Sequence, residues 1–387
     1  MNFELSEEQQ MFRSTLREFV DKEIRPVAHE WEREGRYPTE IVEKMKAIGL
    51  FGITIPEEFG GTNVDMVSLA IVFEEISRGW MGIAGILGSH SLATWMIATH
   101  GTDEQKHRFL PELATGQRRT AIAITEANAG TDVQGIETRA WRDGDEYVIR
   151  GSKIWITNAR YANPLPVLVK TDPEAEPRHR GMSVLLVEQG TKGFVISKDM
   201  PKLGYKGPES AEVLLDDVRV PVENLLGGEE GQGFKQMLAG LEIGRINIAA
   251  RSVGIAQEAY NQALKYSKER HAFGKPIADF QAIQLKLAEM ATNVQASRLL
   301  TWWAASKADS GARVDLEAGM AKWFSSEVSI KNSLESMRVH GGMGYSTELD
   351  VERLYRDAPL LAIGEGTNDM MKIIIAKGLV DDRVVID

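Results

Sequence analysis

The 387-residue sequence contains no cysteine. This absence excludes disulfides, thiolate nucleophiles and every cysteine-ligated zinc or iron–sulfur site. Basic residues are in the minority, since 45 Lys and Arg stand against 56 Asp and Glu for a net charge of −11. Nucleic acids and anionic membrane surfaces attract basic patches, so we expect neither as a partner. We identify no apolar run of the roughly 18 residues that a spanning helix needs, and therefore predict no membrane segment.

Several familiar motifs are also missing. The dinucleotide-binding G-x-G-x-x-G, the phosphate-binding G-x-x-x-x-G-K-[ST] and the metalloprotease H-E-x-x-H do not occur. The seven histidines are not clustered at metal-ligand spacing, so we expect no metal site. Residues 1–5 are acidic and polar, unlike a signal or transit peptide, which predicts a cytoplasmic, prokaryotic protein. Ser6 to Gln9 forms a capping box that predicts the start of a helix.

The hydrophobic pattern changes twice along the chain. It has helical periodicity over 1–117, becomes strand-like over 118–227, and is helical again, with long proline-free segments, over 228–387. This order predicts an α+β, mostly α fold, with a helical domain, a β domain and a helical bundle. It does not fit the strand–helix alternation of a Rossmann or TIM fold.

Two motifs in the strand-like part could hold a ligand. Residues 123–132 run from an apolar strand into a loop of small and hydroxylic residues, which suits either a plain turn or a close approach to an anionic or planar ligand. Trp155 lies near a strand end. It is either a core residue or a cover for one face of a flat cofactor.

Three further motifs lie in the C-terminal part. In Glu269–Pro276, Arg270 is placed either to meet a pyrophosphate or to cap a helix end. His340–Tyr345 reads as a helix C-terminus followed by a turn. In Ile363–Asp369, Glu365 stands between two glycines after an apolar stretch. A carboxylate there could have a raised pKa and accept a proton from carbon, although such a segment is also a common loop.

Together, in this order and spacing, the five segments resemble the acyl-CoA dehydrogenase family, in its short- and medium-chain or short-branched-chain branches. The resemblance covers essentially the whole chain, and residues 124–135 match the family's first signature. It implies an N-terminal helical domain, a middle β-barrel-like domain and a C-terminal four-helix bundle. It also implies an FAD-dependent enzyme that assembles as a homotetramer, a dimer of dimers.

The resemblance assigns roles to named residues. Glu365 aligns with the family's catalytic base. The FAD would contact two groups of residues, the second of which would come from the adjacent subunit or close over the pyrophosphate. The first group is Ile122, Ile124, Thr125, Gly130, Thr131, Trp155 and Thr157. The second is Arg270, Phe273, Gln281, Arg338, Gly341, Gly342, Thr367 and Asp369. The CoA thioester would be bordered by Thr131, Glu242, Arg245 and Gly366.

The implied reaction removes the α-proton with Glu365 while a hydride leaves Cβ for the flavin, giving a trans-2-enoyl-CoA. Electrons would pass to an electron-transferring flavoprotein. On the same scaffold, an acyl-CoA oxidase, an enoyl-CoA reductase and a catalytically silent acyl-CoA- or FAD-binding subunit are the alternatives. Glu365 counts against the related flavin monooxygenases, which generally lack this base segment.

Four positions depart from the family pattern. Arg338 replaces the usual Gln before the Gly-Gly loop, which puts the adenine-side contact in question. Gly364 stands where Tyr is common and would open space around the acyl chain. Gly244 occupies the position of an alternative base, which leaves Glu365 without a rival. Ile83 replaces the carboxylate-binding arginine of the glutaryl-CoA enzyme and disfavours decarboxylating glutaryl chemistry.

Overall fold

The computed structural model describes residues 4–381. The chain begins with six helices. The first five share an extended apolar core with parts of three helices of the C-terminal part. The sixth helix packs in a separate apolar cluster with the fifth helix and with residues of the sheet. The predicted capping box at Ser6 is confirmed, because its Oγ accepts from the Gln9 N–H and the Gln9 side chain accepts from the Ser6 N–H, both at 3.1 Å. A π-helical turn, Val20–Ile24, joins the first two helices. The helices are α1 (Glu7–Phe19), α2 (Arg25–Glu34), α3 (Thr39–Ala47), α4 (Met66–Gly79), α5 (Met81–His100) and α6 (Asp103–Ala114).

Helix α5 corrects one expectation from the sequence. Its 20 residues have a mean hydropathy of 1.3 over an 18-residue window, so it is long and apolar enough to cross a membrane by length and composition. However, 83% of that window is buried inside the protein. The prediction overlooked this helix because glycine, serine and histidine interrupt its apolar residues. Helix α5 is therefore buried by the rest of the protein, as a core helix is.

The middle of the chain forms one six-stranded mixed sheet in the order β4-β3-β1-β2-β6-β5. All strand pairs are antiparallel except β1 with β3. Alternating branched side chains bury one continuous core on the sheet. The strands are β1 (Arg139–Asp143), β2 (Glu146–Thr157), β3 (Leu165–Lys170), β4 (Met182–Val187), β5 (Phe194–Asp199) and β6 (Ser210–Pro221).

The C-terminal part is a bundle built around two long helices that run in the same direction, α7 (Gly233–Glu269) and α9 (Asp315–His340), and the other helices pack against them. A small hairpin separates the first two helices of the bundle. α7 also packs on α4 and α5, which places the middle of α7 at the junction with the N-terminal helices. The elements are α7 (Gly233–Glu269), β7 (His271–Ala272), β8 (Lys275–Pro276), α8 (Gln281–Asp309), α9 (Asp315–His340), α10 (Gly342–Tyr345), α11 (Val351–Ile363) and α12 (Asn368–Val380).

Candidate active site

Glu365 lies in the short loop between α11 and α12. Its backbone adopts φ 54°, in the left-handed region, and the next residue, Gly366, has φ 92°. A non-glycine residue in this region is held there by its surroundings at a cost of about 1–3 kcal/mol, and such strain is concentrated at functional sites. The loop therefore turns the Glu365 side chain inward instead of continuing the helix.

The carboxylate of Glu365 lies against α7. Its Oε2 is buried and has no hydrogen-bond partner. A Cβ added at Gly244 would lie 1.7 Å from that oxygen, so no side chain fits at position 244 while the carboxylate is there. Leu92 of α5 borders the same spot, 2.9 Å from the added Cβ. The carboxylate thus faces an apolar wall with one oxygen free.

Burial raises the pKa of Glu365 from 4.5 to about 7. The positive charges of Arg251, Lys322 and Arg245 oppose this rise but do not cancel it. A desolvated carboxylate with a pKa near neutrality can take up a proton and release it at physiological pH. These surroundings would suit a general base.

Lys322 of α9 holds the Glu365 loop in place. It is fully buried, and its Nζ donates to the carbonyl oxygens of Ala362 at 3.2 Å and Gly366 at 2.7 Å and to Asn368 Oδ1 at 3.0 Å. Asn368 Nδ2 in turn donates to Glu327 Oε1 at 2.7 Å. Buried, satisfied polar networks rigidify the segment that they bind. Lys322 therefore fixes the loop on both sides of Glu365.

The loop after residue 123 is anchored by a buried ion pair. Glu126 Oε1 accepts from Lys153 Nζ at 2.7 Å, and the same carboxylate accepts from the backbone N–H groups of Glu137 and Thr138. Burial disfavours its charge, but the charge of Lys153 and these donors hold the pKa of Glu126 below its usual value. The pair ties the loop to β2, where Ile154 N–H also donates to the Thr125 carbonyl at 2.9 Å.

Trp155 is not a core residue. The register of β2 with β6 shifts between Lys153 and Ile156, so Trp155 lies at a β-bulge. Its backbone has φ 62° and its side chain is 48% exposed. Bulges commonly redirect a side chain beside an active site. An exposed, strained tryptophan two residues before Thr157 suits the face of a planar ligand and leaves the core interpretation without support.

The remaining residues expected near the flavin divide into three local settings. Ile124 is buried, whereas Ile122 and Thr125 are partly exposed beside it. Gly130 and Thr131 are exposed, and a Cβ on Gly130 would meet no atom within 4 Å. Thr367 caps α12 by accepting from the Met370 N–H, and Asp369 lies exposed in the first turn, paired with Lys372. Exposed aromatic, hydroxyl and glycine positions, with a capped helix N-terminus, fit a flavin dinucleotide.

The other expected flavin contacts lie at the far end of the bundle, and all of them are exposed. Phe273 is 96% exposed at the tip of the β7–β8 hairpin. Tyr266 stacks on His340 with ring centroids 4.3 Å apart, so the C-terminal ends of α7 and α9 lie together beside this hairpin. Arg270 follows Gly244 by 26 residues, or about 39 Å of helix. One protomer therefore does not bring this group to the Glu365 site. The group is Arg270, Phe273, Gln281, Arg338, Gly341 and Gly342.

Two of the four expected thioester residues, Glu242 and Arg245, lie on α7 on either side of Gly244. Gly366 directly follows Glu365, and Thr131 lies in the exposed loop after residue 123. Arg245 is 6% exposed, its Nε has no partner, and burial lowers its pKa despite the charges of Glu242 and Glu365. Glu242 lines a cleft of about 850 Å³ whose wall carries several basic side chains. These are His179, Arg180, Lys235 and Arg313. The same lining includes the carboxylates of Glu230 and Glu242, so its cationic side chains outnumber its acidic ones by one. A cleft with a cluster of cations suits the phosphates of an anionic carrier.

The sequence interpretation missed three residues that face the site. They are Lys322, Asn247 and Arg251, and each is at most 5% exposed. All three lie on long helices, where polar residues usually face solvent. The available signal was their position within apolar stretches, such as residues 248–254 around Arg251.

Comparison with known proteins places the chain in a family. Three family models match it: the acyl-CoA dehydrogenase N-terminal domain over residues 6–117, the middle domain over 121–218 and the C-terminal domain over 231–380. The chain therefore belongs to the acyl-CoA dehydrogenase family, whose members are flavin-dependent oxidoreductases.

Individual relatives are similar over nearly the full chain. A probable acyl-CoA dehydrogenase, YngJ, of Bacillus subtilis is 43% identical, covering 98% of this chain and 100% of the relative. The (2S)-methylsuccinyl-CoA dehydrogenase of Cereibacter sphaeroides is 41% identical, covering 97% of this chain and 70% of the relative. The structure of butyryl-CoA dehydrogenase from Megasphaera elsdenii superimposes with a TM-score of 0.95 at 36% identity, covering 98% and 100%.

Proposed function

We propose that this chain is an FAD-dependent acyl-CoA dehydrogenase that converts an acyl-CoA thioester to a trans-2-enoyl-CoA. The observation that carries the proposal is the Glu365 carboxylate, which has one buried, unpartnered oxygen and a pKa near 7. Abstraction of a proton from carbon requires a base that is desolvated, ionisable at working pH and unhindered. Glu365, flanked by two glycines, meets all three requirements.

Glu365 would act through its backbone as well as its side chain. Within residues 4–381, no acceptor takes the hydrogen bond of the Glu365 N–H. A free backbone donor beside the base can bind the thioester oxygen and stabilise the negative charge that develops on it. The carboxylate of Glu365 would then face the α-carbon of the substrate while the N–H of the same residue binds the thioester oxygen.

The protein's part in cofactor binding follows from its own residues. When bound, FAD supplies the acceptor for the hydride that leaves Cβ. Trp155 would cover one face of the ring with Thr157 beside it, while Gly130 and Thr131 allow the close approach of the chain. The first turn of α12, at Thr367 and Asp369, would lie near the pyrophosphate.

The thioester carrier is assigned to the cleft that Glu242 lines. Arg180, Lys235 and Arg313 can bind the phosphates of CoA by charge-assisted hydrogen bonds, with His179 beside them. Glu242, which lines the cleft, and Arg245, which follows Gly244 on α7, would border the pantetheine end, with Thr131 and Gly366 beside it.

The assembly and partners belong to the same proposal. A homotetramer, formed as a dimer of dimers, would bring Arg270 and its neighbours to the flavin of an adjacent subunit, since one protomer does not do so. An electron-transferring flavoprotein would take the electrons, and the enzyme would work in the cytoplasm.

The test is an anaerobic absorbance titration of the purified holoenzyme against straight, branched and cyclic acyl-CoA thioesters. Bleaching of the flavin band by one thioester supports the proposal. A flavin that stays oxidised with every thioester would contradict it. Fast reoxidation of the bleached flavin by air with product bound would instead indicate an oxidase.

A variant tests the base. Glu365→Gln keeps the shape but not the proton acceptor, so it should bind FAD and acyl-CoA and reduce its flavin about 10²–10⁴-fold more slowly. Glu289→Gln, which removes an exposed carboxylate on α8, is the matched control and should reduce at the wild-type rate. Near wild-type reduction by Glu365→Gln would exclude Glu365 as the base.

A further inference from the structure

One face of α7 runs along the site beyond Glu365. Gly244, Asn247 and Arg251 recur at intervals of three and four residues and so lie on one side of the helix. Gly244 contacts the Glu365 carboxylate, as described above. Asn247 and Arg251 continue the same face, deeper into the junction between α7 and the N-terminal helices.

This face is polar where an apolar wall would be expected. Asn247 and Arg251 are only 4% and 5% exposed, and Asn247 Oδ1 and Arg251 Nε are buried without a hydrogen-bond partner. The Nη2 of Arg251 donates to Met81 Sδ at 2.8 Å, a weak acceptor, and the guanidinium also lies within hydrogen-bonding reach of the Tyr205 hydroxyl. Within residues 4–381 no carboxylate forms an ion pair with Arg251. The charge of Arg251 acts on the Glu365 carboxylate from beyond ion-pair distance. A buried guanidinium without an ion-paired anion is costly, and a ligand can supply that anion.

The opposite wall leaves room for these groups. In α5, a Cβ at Gly88 would lie 2.6 Å from Asn247 Nδ2, and a Cβ at Gly85 would lie 1.7 Å from the Tyr205 hydroxyl. The Tyr205 ring centroid is 5.4 Å from the Arg251 guanidinium carbon, and its hydroxyl lies close to Thr157. The two glycines thus let an amide and a hydroxyl enter a narrow space beside the arginine.

We propose that the acyl group of the substrate carries a second carboxylate at its far end and that Arg251 binds it, with Asn247 and the Tyr205 hydroxyl alongside. The inference rests on the proposed dehydrogenase function, whose substrate it narrows to dicarboxylic monothioesters. Arginine favours carboxylates because its donors form a planar fork.

The spacing sets the size of the acyl group. Gly244 and Arg251 are seven residues apart, or about 10 Å along the helix. Helical side chains lean toward the N-terminus, so the Arg251 guanidinium reaches back toward Glu365 and shortens that gap. A short diacid, such as a methylsuccinyl, glutaryl or adipyl group, suits the distance. Arg251 stands on a different helix from Ile83, so the absence of an arginine at position 83 does not argue against this carboxylate contact.

The first experiment uses the wild-type holoenzyme. Anaerobic flavin reduction is measured with methylsuccinyl-, glutaryl- and adipyl-CoA against 2-methylbutyryl-, valeryl- and hexanoyl-CoA. We expect one of the dicarboxylic thioesters to exceed its uncharged counterpart by about 10- to 100-fold in kcat/KM, the range for a hydrogen bond to a charged group. Reduction by the monocarboxylic thioesters alone would overturn the inference and leave the dehydrogenase function intact. No reduction by any of the six would count against the dehydrogenase function itself.

The second experiment assigns the effect to Arg251. The kinetics are measured at pH 9, where Glu365 is ionised with or without the opposing charge of Arg251. There Arg251→Gln should lose the preference for the carboxylated thioester, mainly through KM, while its rate with the uncharged counterpart changes much less. Arg251→Lys keeps the charge and should restore part of the preference. Lys268→Gln removes an exposed charge from the same helix and is the control. Equal losses with both substrates in Arg251→Gln would show that Arg251 serves only the packing of Tyr205 and Met81.

Discussion

At the scale of single residues, the pKa of Glu365 predicts how the reaction depends on pH. Burial raises that pKa to about 7, and only the ionised carboxylate accepts a proton. The rate of flavin reduction by a saturating thioester should therefore rise tenfold per pH unit below about 7 and level off above it. Stopped-flow absorbance from pH 5.5 to 9 measures this profile. A rate that is flat from pH 5.5 to 7 would contradict the assignment.

Gly244 makes a second residue-scale prediction. In Gly244→Ala the new methyl group would lie 1.7 Å from Glu365 Oε2, so the carboxylate must leave its position. We expect flavin reduction to fall at least tenfold with FAD content unchanged, since a small displacement of a catalytic group costs much of its effect.

Gly319→Ala is the matched control for that change. It lies on α9, where an added Cβ would make only ordinary contacts of 3.7 Å or more, and it should reduce its flavin normally. Equal rates for Gly244→Ala and the wild type would show that the carboxylate does not work from its place beside α7.

Some single residues of the candidate site could be found from the sequence, and others could not. The motifs of Glu365 and Trp155 made both residues candidates, but each motif alone also fitted a plain loop or a core residue. Only the resemblance to a family assigned them roles. Arg251, Asn247 and Lys322 were not candidates, because a polar residue on a long helix is usually solvated. Only the packing of α7 and α9 against other helices buries them, and one sequence does not give that packing.

At the scale of elements, Lys322 links α9 to the Glu365 loop and predicts a positioning effect. Lys322→Met keeps the length of the side chain but removes the donor from two carbonyls and from Asn368. Loss of a buried donor costs about 1–3 kcal/mol, so we expect reduction to slow by about 10- to 100-fold. FAD and acyl-CoA binding should persist.

The pH profile separates this role from a merely structural one. The charge of Lys322 lowers the pKa of Glu365, so Lys322→Met should move the apparent pKa of flavin reduction upward. Lys331→Met, an exposed lysine on the same helix, should leave both rate and profile unchanged. A slower variant with an unshifted profile would mean that Lys322 supports folding alone.

Hydrophobic periodicity predicts the order of helices and strands in this chain, but it does not predict which helices are buried. The order of helices, strands and helices was predictable because each run keeps its own period over many residues. The membrane prediction overlooked α5, whose apolar residues are spaced by small and polar ones. Length and composition describe such a helix, but its neighbours decide whether it is buried in protein.

At the scale of the whole molecule, the flavin contacts predicted on the far end of the bundle require a second subunit. Arg270 and Phe273 are exposed in the protomer. Arg270 stands about 39 Å along α7 from Gly244, and Phe273 lies in the hairpin beyond the end of that helix. If both contact an adjacent subunit's cofactor, then cofactor retention and assembly depend on the same side chains. Loss of one should accompany loss of the other.

Arg270→Ala and Phe273→Ala test this coupling. Each should lower the flavin content after gel filtration and shift the protein toward smaller species, with the two changes proportional across protein concentrations. Arg150→Ala, an exposed arginine paired with Asp217 on β2 and β6, removes the same charge from a different surface and should change neither. Full flavin content with an unchanged elution volume in both variants would show that this end of the bundle binds no neighbouring cofactor. Added FAD should restore assembly in Arg270→Ala, because a ligand bound between subunits favours the assembled state.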